Sequence, residues 1–186
     1  MKKELIPSLL LTIICIVFFS GIYPLIVWGI AQFAPNKGEG FVIVDHGKKY
    51  YENVGQKFTE DKYFYSRPSA VDYNAAGSGG SNKAPTNPEY LVQVSARIDS
   101  FMVHNPSANK ADIPSDLVTA SGSGLDPDIS VQAAIVQIQR IAAIRKASVT
   151  QLQDLVQAHV HKPLGLGPSC INVLKLNIDL DKALSQ

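Results

Sequence analysis

From Leu5 to Asn36 the chain carries no charged side chain, and "LIPSLLLTIICIVFFSGIYPLIVWGIAQF" within that run is mostly Leu, Ile, Val and Phe. A helix needs about 20 such residues to cross a bilayer, so a span over about residues 9–33 fits with length to spare. A cleaved signal peptide is the rival reading, with Gly29-Ile30-Ala31 as a passable cleavage site. The apolar part of such a peptide is about 7–15 residues, shorter than this run. An uncleaved single-pass anchor is therefore expected, with residues 1–36 as tail and anchor and 37–186 as one soluble domain. Lys2 and Lys3 precede the span and Lys37, Lys48 and Lys49 follow it. The count is nearly a tie, but long C-terminal domains cross largely regardless of charge, so the N-terminus is placed in the cytoplasm and the domain outside it. Within the span, Pro24 predicts a kink because it removes a backbone donor. Ser20 and Gly21 would let another helix approach closely; a plain lipid anchor with a tolerated proline is the alternative.

The net charge of +1 gives no long-range pull on nucleic acid. Cys15 lies in the apolar run, so a bridge to Cys170 is not expected. After a Pro35–Gly38 linker, "GFVIVD" reads as a strand ending in a turn at Asp45-His46-Gly47. Residues 63–88 follow neither period and are crowded with Gly, Ser, Asn and Pro; a loop that long is either contact-making or mobile. A helix is expected from "TNPEYLVQV", with Thr86 and Glu89 at capping-box spacing and Leu91, Val94, Ile98, Phe101 and Met102 on one face. Ala134, Ile135, Ile138, Ile141, Ala142 and Arg145 mark the next helix. Ser148 and Gln151 open another, with Leu152, Leu155 and Val156 as its stripe. The alternation from Cys170 to Leu176 predicts a strand, with a short helix from about Asp179. Together these give a single mixed α/β (α+β) domain with a small sheet.

Catalytic motifs fail on inspection. No G-x-S-x-G occurs, and Gly77-Ser78-Gly79 has the wrong spacing. Gly47-Lys48-Lys49 lacks the rest of a phosphate-binding loop, and Asp61-Lys62-Tyr63 lacks the hydroxyl and glycine of a D-K-T-G phosphorylation site. His159 and His161 sit at a helix end without an adjoining Cys or carboxylate cluster, and read as solvated. The stretch "TASGSGLDPD" has glycines enough, Gly122 and Gly124 among them, to present backbone donors to an anion. Asp126 and Asp128 would compete for those donors, so the expected role is a capped turn with Pro127 as first helical residue. No catalytic, cofactor or metal residue is assigned.

Five segments in order, "YFYSRPSAVDYNAAGSGGSN", "PTNP", "DLVTASGSGLDPDIS", "AAIVQIQRIA" and "NVLKLN", stand behind one N-terminal span. This pattern closely resembles the C subunit of the Kdp potassium-transporting P-type ATPase over nearly the whole chain. Departures are Lys83-Ala84 after "SGGSN", and Pro168-Ser169-Cys170 where the family carries acidic and arginine residues. The resemblance implies a bacterial inner- or plasma-membrane complex that takes up potassium at the expense of ATP. Its implied partners are a channel-like potassium-translocating subunit, a P-type ATPase catalytic subunit and a small accessory membrane subunit. The family's C subunit is described as needed for assembly and activity, and as a chaperone raising the nucleotide affinity of the ATPase subunit; with D-K-T-G absent, this chain is expected to be a non-catalytic subunit. Without a phosphate loop or suitable lysine here, ATP is expected to be felt through the complex and not bound directly. Arg67 is expected to fix the base of the long loop by a bidentate carboxylate contact. Tyr73, Asn74, Ser78, Gly79, Gly80, Ser81 and Asn82 are expected to face a partner subunit. A membrane-anchored ligand-binding module or hydrolase is the alternative function.

Overall fold

The computed structural model describes residues 2–162 and 167–184. Packing divides the chain into two compact units, Met1–Val42 and Ile43–Gln186. The first is one continuous helical rod: α1 (Lys2–Val17), a π turn (Phe18–Ile22) and α2 (Tyr23–Ala31). Its Glu4–Ala31 stretch of 28 residues contains an 18-residue window of mean hydropathy 2.5 with no residue buried against protein, as a lipid-facing span requires. The distortion expected at Pro24 takes the form of a widened turn just before it. Tyr23 N–H donates to Phe18 O, five residues back, and the Ser20 hydroxyl donates to Ile16 O at 2.5 Å. Proline cannot supply its own bond to the preceding turn, and a π turn is one way a helix absorbs that loss. Gly21 has no protein atom near the position a Cβ would take.

In the second unit, β1 (Val42–Asp45) and β2 (Lys48–Tyr51) form a two-stranded hairpin. His46 and Gly47 both have positive φ, 45° and 76°, the backbone of the tight turn that matches strand twist. The expected strand is therefore present, and its partner β2 is an addition. α3 (Pro88–His104) follows the long loop, then single 3₁₀ turns at Lys110–Asp112 and Ser115–Leu117. β3 (Asp128–Ser130) leads into α4 (Val131–Ile135), α5 (Ile138–Arg145) and α6 (Val149–Ala158). β4 (Cys170–Asn172) runs directly into α7 (Val173–Leu184). β3 and β4 pair antiparallel, Asp128 opposite Asn172, Ile129 opposite Ile171 and Ser130 opposite Cys170. The mixed fold class stands, but with two two-stranded sheets in place of one.

The core lies where α4–α7 close over β3 and β4. Ile129, Ala133, Ile141, Leu152, Val156, Ile171, Leu176 and Leu180 are all at most 1% exposed, and Phe64 from the long loop is fully buried among them. Burying a side chain of this size contributes about 1.5–3 kcal/mol relative to leaving it in water.

Several local expectations are corrected. α3 is capped by Asn87, not Thr86: the Asn87 side chain accepts from Tyr90 N–H at 3.0 Å, while Glu89 turns to Lys83 at 2.9 Å. Asn is a strong cap and Pro88 then takes the first helical position. Leu91 lies outside the inner face of α3, 52% exposed, whereas Phe101 is buried. Ser148 does stand at the N-cap of α6, yet its side chain makes no capping bond. The helix expected after Asp128 starts three residues later, because Asp128–Ser130 pair as strand β3 and Ser130 becomes the cap, accepting from Ala133 N–H at 3.1 Å. Pro127 is accordingly not helical; its carbonyl accepts from Val173 N–H. The expected long C-terminal strand stops at Asn172, whose side chain accepts from Lys175 N–H at 3.1 Å and starts α7. From there Val173, Leu176 and Leu180 share a helical face. Ser185 and Gln186 of the expected final helix lie outside the described residues.

Candidate functional site

The long loop is led by a turn closed by Tyr63 N–H to Glu60 O at 3.0 Å, followed by an irregular stretch through Tyr65 that belongs to no sheet. Its backbone groups are satisfied by side chains from the helices instead. Phe64 N–H donates to Asn177 Oδ1 at 2.9 Å, and Asn177 Nδ2 donates to Phe64 O at 3.0 Å. Tyr65 N–H donates to Gln137 Oε1 at 2.8 Å. Arg140 completes the clamp: Nη1 donates to Asp61 O, Nη2 to Tyr63 O at 3.0 Å and to Gln137 Oε1 at 2.8 Å, and Nε to Asn105 Oδ1 at 2.9 Å. Its guanidinium also lies 4.1 Å from the centre of the Tyr65 ring, within cation–π range. Arg140, Gln137, Asn105 and Asn177 are all at least 94% buried. Buried polar groups are tolerated only when bonded, and here each one is bonded to the loop backbone, to another member of the clamp or, as for Asn105 Nδ2 to Phe101 O at 3.0 Å, to helix backbone.

Gln137 reaches the loop because the helix breaks. Val136 and Gln137 form a tight turn between α4 and α5, and the Gln137 Nε2 donates back to Ala133 O at 2.9 Å. The single long helix expected over this stretch is thus two, and the break aims a polar side chain inward.

Past the clamp, the loop folds onto the Ser121–Asp126 segment. Arg67 Nη1 donates to Asp126 Oδ2 at 2.8 Å. The contact is one bond, not the bidentate pair expected, and Arg67 Nε is buried without a hydrogen-bond partner. Asp126 Oδ1 accepts from Asp128 N–H at 3.1 Å, so Asp126 shapes a turn and not a helix cap. Ser69 is the pivot: its hydroxyl donates to Gly124 O at 2.7 Å and accepts from Tyr73 N–H at 2.9 Å. The Tyr73 hydroxyl donates to Arg67 O, and burial pushes that phenol up to about 12. Ser78 Oγ and Gly79 N–H both donate to Ser123 O at 2.9 Å. Asn74 accepts from Ala76 N–H at 3.0 Å.

Two glycines make this approach possible. A Cβ on Gly124, at φ +67°, would meet Val71 Cγ2 at 2.6 Å and Gly79 O at 2.8 Å; one on Gly80 would meet Gly122 O at 3.0 Å. Of the two readings open for the long loop, the contact-making one holds: it is docked backbone to backbone. Tyr73, Gly79, Gly80 and Ser81 are half-buried, while Asn74, Ser78 and Asn82 are exposed. Beside the clamp lies a cavity of about 310 Å³, with Tyr65, Arg67, Tyr73, Arg97, Phe101 and His104 in its wall.

A second constellation gathers around β4. The histidines are not simply solvated. His159 Nε2 is 3.0 Å from Asp179 Oδ2, with its side chain only 14% exposed. His161 bridges to Cys170, each N–H donating to the other's carbonyl at 2.9 Å. Its Nε2 lies 3.5 Å from Cys170 Sγ and 3.8 Å from Asp128 Oδ1. The cluster that the sequence spacing gave no reason to expect is therefore present, assembled by strand pairing. Burial raises the Asp128 carboxyl above the usual carboxylate range, and burial with the nearby Asp128 pushes the Cys170 thiol up to about 11. This is not a nucleophile–base–orienter array. Asp128 faces the same imidazole nitrogen as the thiol, so it cannot orient that ring from behind as a triad acid does.

The clamp residues Asn105, Gln137, Arg140 and Asn177 were missed as a site by motif reading, since none carries a chemical signature alone. Three of them do fall in the segments that carried the resemblance: Gln137 and Arg140 in "AAIVQIQRIA", Asn177 in "NVLKLN". Those segments, with "YFYSRPS" and "SGSGLDPDIS", converge in space on the base of one loop.

Comparison with known proteins agrees. The family described as KdpC, K⁺-transporting ATPase, c chain, matches residues 5–182. The chain belongs to the KdpC family. A potassium-transporting ATPase KdpC subunit of Flavobacterium psychrophilum is 52% identical over 181 residues, covering 97% of this chain and 98% of the relative. One from Bacteroides fragilis is 49% identical over 186 residues, with 97% of each covered. One from Geobacter sulfurreducens is 47% identical over 187 residues, covering 96% and 97%. In this KdpC chain the departures at Lys83 and Cys170 fall, respectively, on a surface ion pair with Glu89 and on the His161 bridge.

Proposed function

We propose that this chain is the non-catalytic C subunit of an ATP-driven potassium uptake complex in a bacterial cell membrane, with its N-terminus in the cytoplasm and residues 37–186 outside. The carrying observation is the family match over residues 5–182. The Glu4–Ala31 helix fits the single-pass anchor, and its Ser20–Gly21 face suits packing against a membrane neighbour. The clamped loop supplies a rigid surface, and Asn74, Ser78 and Asn82 are its exposed contacts for the channel-like and ATPase subunits. Rigid presentation of a loop lowers the ordering cost of association. Among the described residues, the one cysteine–histidine pair lacks triad geometry, which favours this reading over a hydrolase. Any rise in the ATPase subunit's nucleotide affinity then comes from the C subunit favouring one conformational state of the complex, without contact to ATP.

The test is affinity purification of the full chain from mildly solubilised membranes. It should bring down the two large polytopic partners, and replacing Asn74, Ser78 and Asn82 together by alanine should weaken that recovery. A stable lone monomer from cells that express the partners would overturn the assignment. Protease added to right-side-out spheroplasts should digest the domain; digestion only in inverted vesicles would reverse the orientation and reopen direct ATP contact.

A further inference from the structure

We propose that Asp128, His161 and Cys170 form a three-ligand site for a divalent first-row transition metal ion, with Zn²⁺ as the fitting ion and a fourth position open to solvent. The proposal is independent of the transport role.

Strand pairing builds the site. Ser130 pairs with Cys170 and Asp128 with Asn172, so Asp128 and Cys170 lie on the same face, two residues apart along the ladder. His161 pairs with Cys170 from the other side. β3 and two neighbouring parts of the later chain thus bring one carboxylate, one imidazole and one thiol together, and the candidate ligand atoms all lie within 4.8 Å of one another.

The spacing suits a small ion. With metal–sulfur at about 2.3 Å and metal–nitrogen or metal–oxygen at about 2.0–2.2 Å, tetrahedral ligands stand about 3.5 Å apart for S and N and about 3.4 Å for N and O. The observed separations are 3.5 Å from Sγ to Nε2 and 3.8 Å from Nε2 to Oδ1. A side-chain movement of a few tenths of an ångström would bring these two pairs to ligand spacing, and the third pair, sulfur and carboxylate, lies within 4.8 Å. His161 Nδ1 faces His159 O at 3.5 Å, which leaves Nε2 as the free ligand nitrogen. Asp128 Oδ1 is shut off from solvent and has no hydrogen-bond partner of normal geometry, while the carboxylate as a whole has the Cys170 thiol beside it. A cation would take the place of the thiol proton between them. The His161 side chain is 45% exposed, so an ion has a way in. The donor set selects the metal class: sulfur and imidazole with one carboxylate suit Zn²⁺, whereas Ca²⁺ and Mg²⁺ require oxygen cages. Bound, the ion would clip the segment after α6 to both strands.

The full chain, in detergent, reduced and stripped by chelator, should take up one Co²⁺ per molecule with a thiolate-to-cobalt charge-transfer band in the near ultraviolet. Zn²⁺ should displace it, and Zn²⁺ should raise the melting temperature in a concentration-dependent way. Cys170→Ser should abolish the band and Cys15→Ser should leave it intact. His161→Ala, at an exposed position, should lower Zn²⁺ affinity at least tenfold and abolish the Zn²⁺-dependent rise in melting temperature. Absence of the band in the native chain, its survival in Cys170→Ser, or equal Zn²⁺ affinity in His161→Ala and the native chain would each overturn the site.

Discussion

Replacing Asn177 by Leu tests whether side chains really substitute for a missing strand beneath the loop. Leucine keeps the branched skeleton of asparagine but is larger, so no cavity forms, and any overpacking at this buried site adds to the loss. What is lost is both hydrogen bonds to Phe64, at 2.9 Å and 3.0 Å, at a residue whose own exposure is zero. Phe64 N–H and C=O would then be buried without partners. Each such group costs about 1–3 kcal/mol, so the expected loss for the two is about 2–6 kcal/mol. Domains of this size have about 5–15 kcal/mol in all, so the effect would be large. Urea denaturation of the full chain in detergent, followed by circular dichroism, reads the total. Hydrogen exchange at the Phe64 amide reads the local opening, and should accelerate more than amides in α5. A free-energy change under about 0.5 kcal/mol, the range of ordinary surface substitutions, would refute the clamp.

Gly124→Ala should cost more than the roughly 1–2 kcal/mol of a left-handed alanine, because the new methyl also meets Val71 and Gly79; thermal denaturation checks the loss, and limited proteolysis should cut first within residues 67–82. A double-mutant cycle on Arg67→Ala and Asp126→Ala should give a coupling under about 1 kcal/mol, since the pair is only partly buried, and the coupling should shrink at high salt. The Tyr65 hydroxyl, then His104 and Arg140, hold the Asp61 carboxyl below its usual 3.8. Its stabilising contribution is therefore complete above about pH 3.8 and is lost as the pH falls through the depressed folded value. Urea midpoints at pH 6 and pH 3 should differ less in Asp61→Asn than in the native chain.

What the sequence made legible was what periodicity encodes. The apolar run gave the membrane helix, and the stripes over Ile138–Ala142 and Leu152–Val156 gave buried helix faces. Competition between nearby choices decided the rest. Thr86 and Asn87 are both good caps, and Pro88 selects the second by fitting the first helical turn behind it. Cys170–Leu176 alternates like a strand, yet Asn172 caps a helix there because Val173, Leu176 and Leu180 find the core only at helical spacing. Asp126 and Asp128 looked like caps since nothing local announced that a three-residue strand would intervene; its partner β4 is more than forty residues away. The clamp was illegible for a similar reason. Arg140 and Asn177 are ordinary helix residues, and Gln137 an ordinary turn residue, until the fold lays an unpaired backbone across them.

The π turn in the anchor sets its rotational phase. An α-helix advances about 100° per residue, and a π turn accommodates about one extra residue, so side chains after Tyr23 are swung round by roughly that angle relative to an unbroken rod. A neighbour that reads the Ser8–Thr12 edge of the lower half does not find that edge continued above. Substitution scanning along residues 5–31 should accordingly show sensitive positions that recur at helical spacing, skip a beat across Phe18–Ile22, and resume on another side.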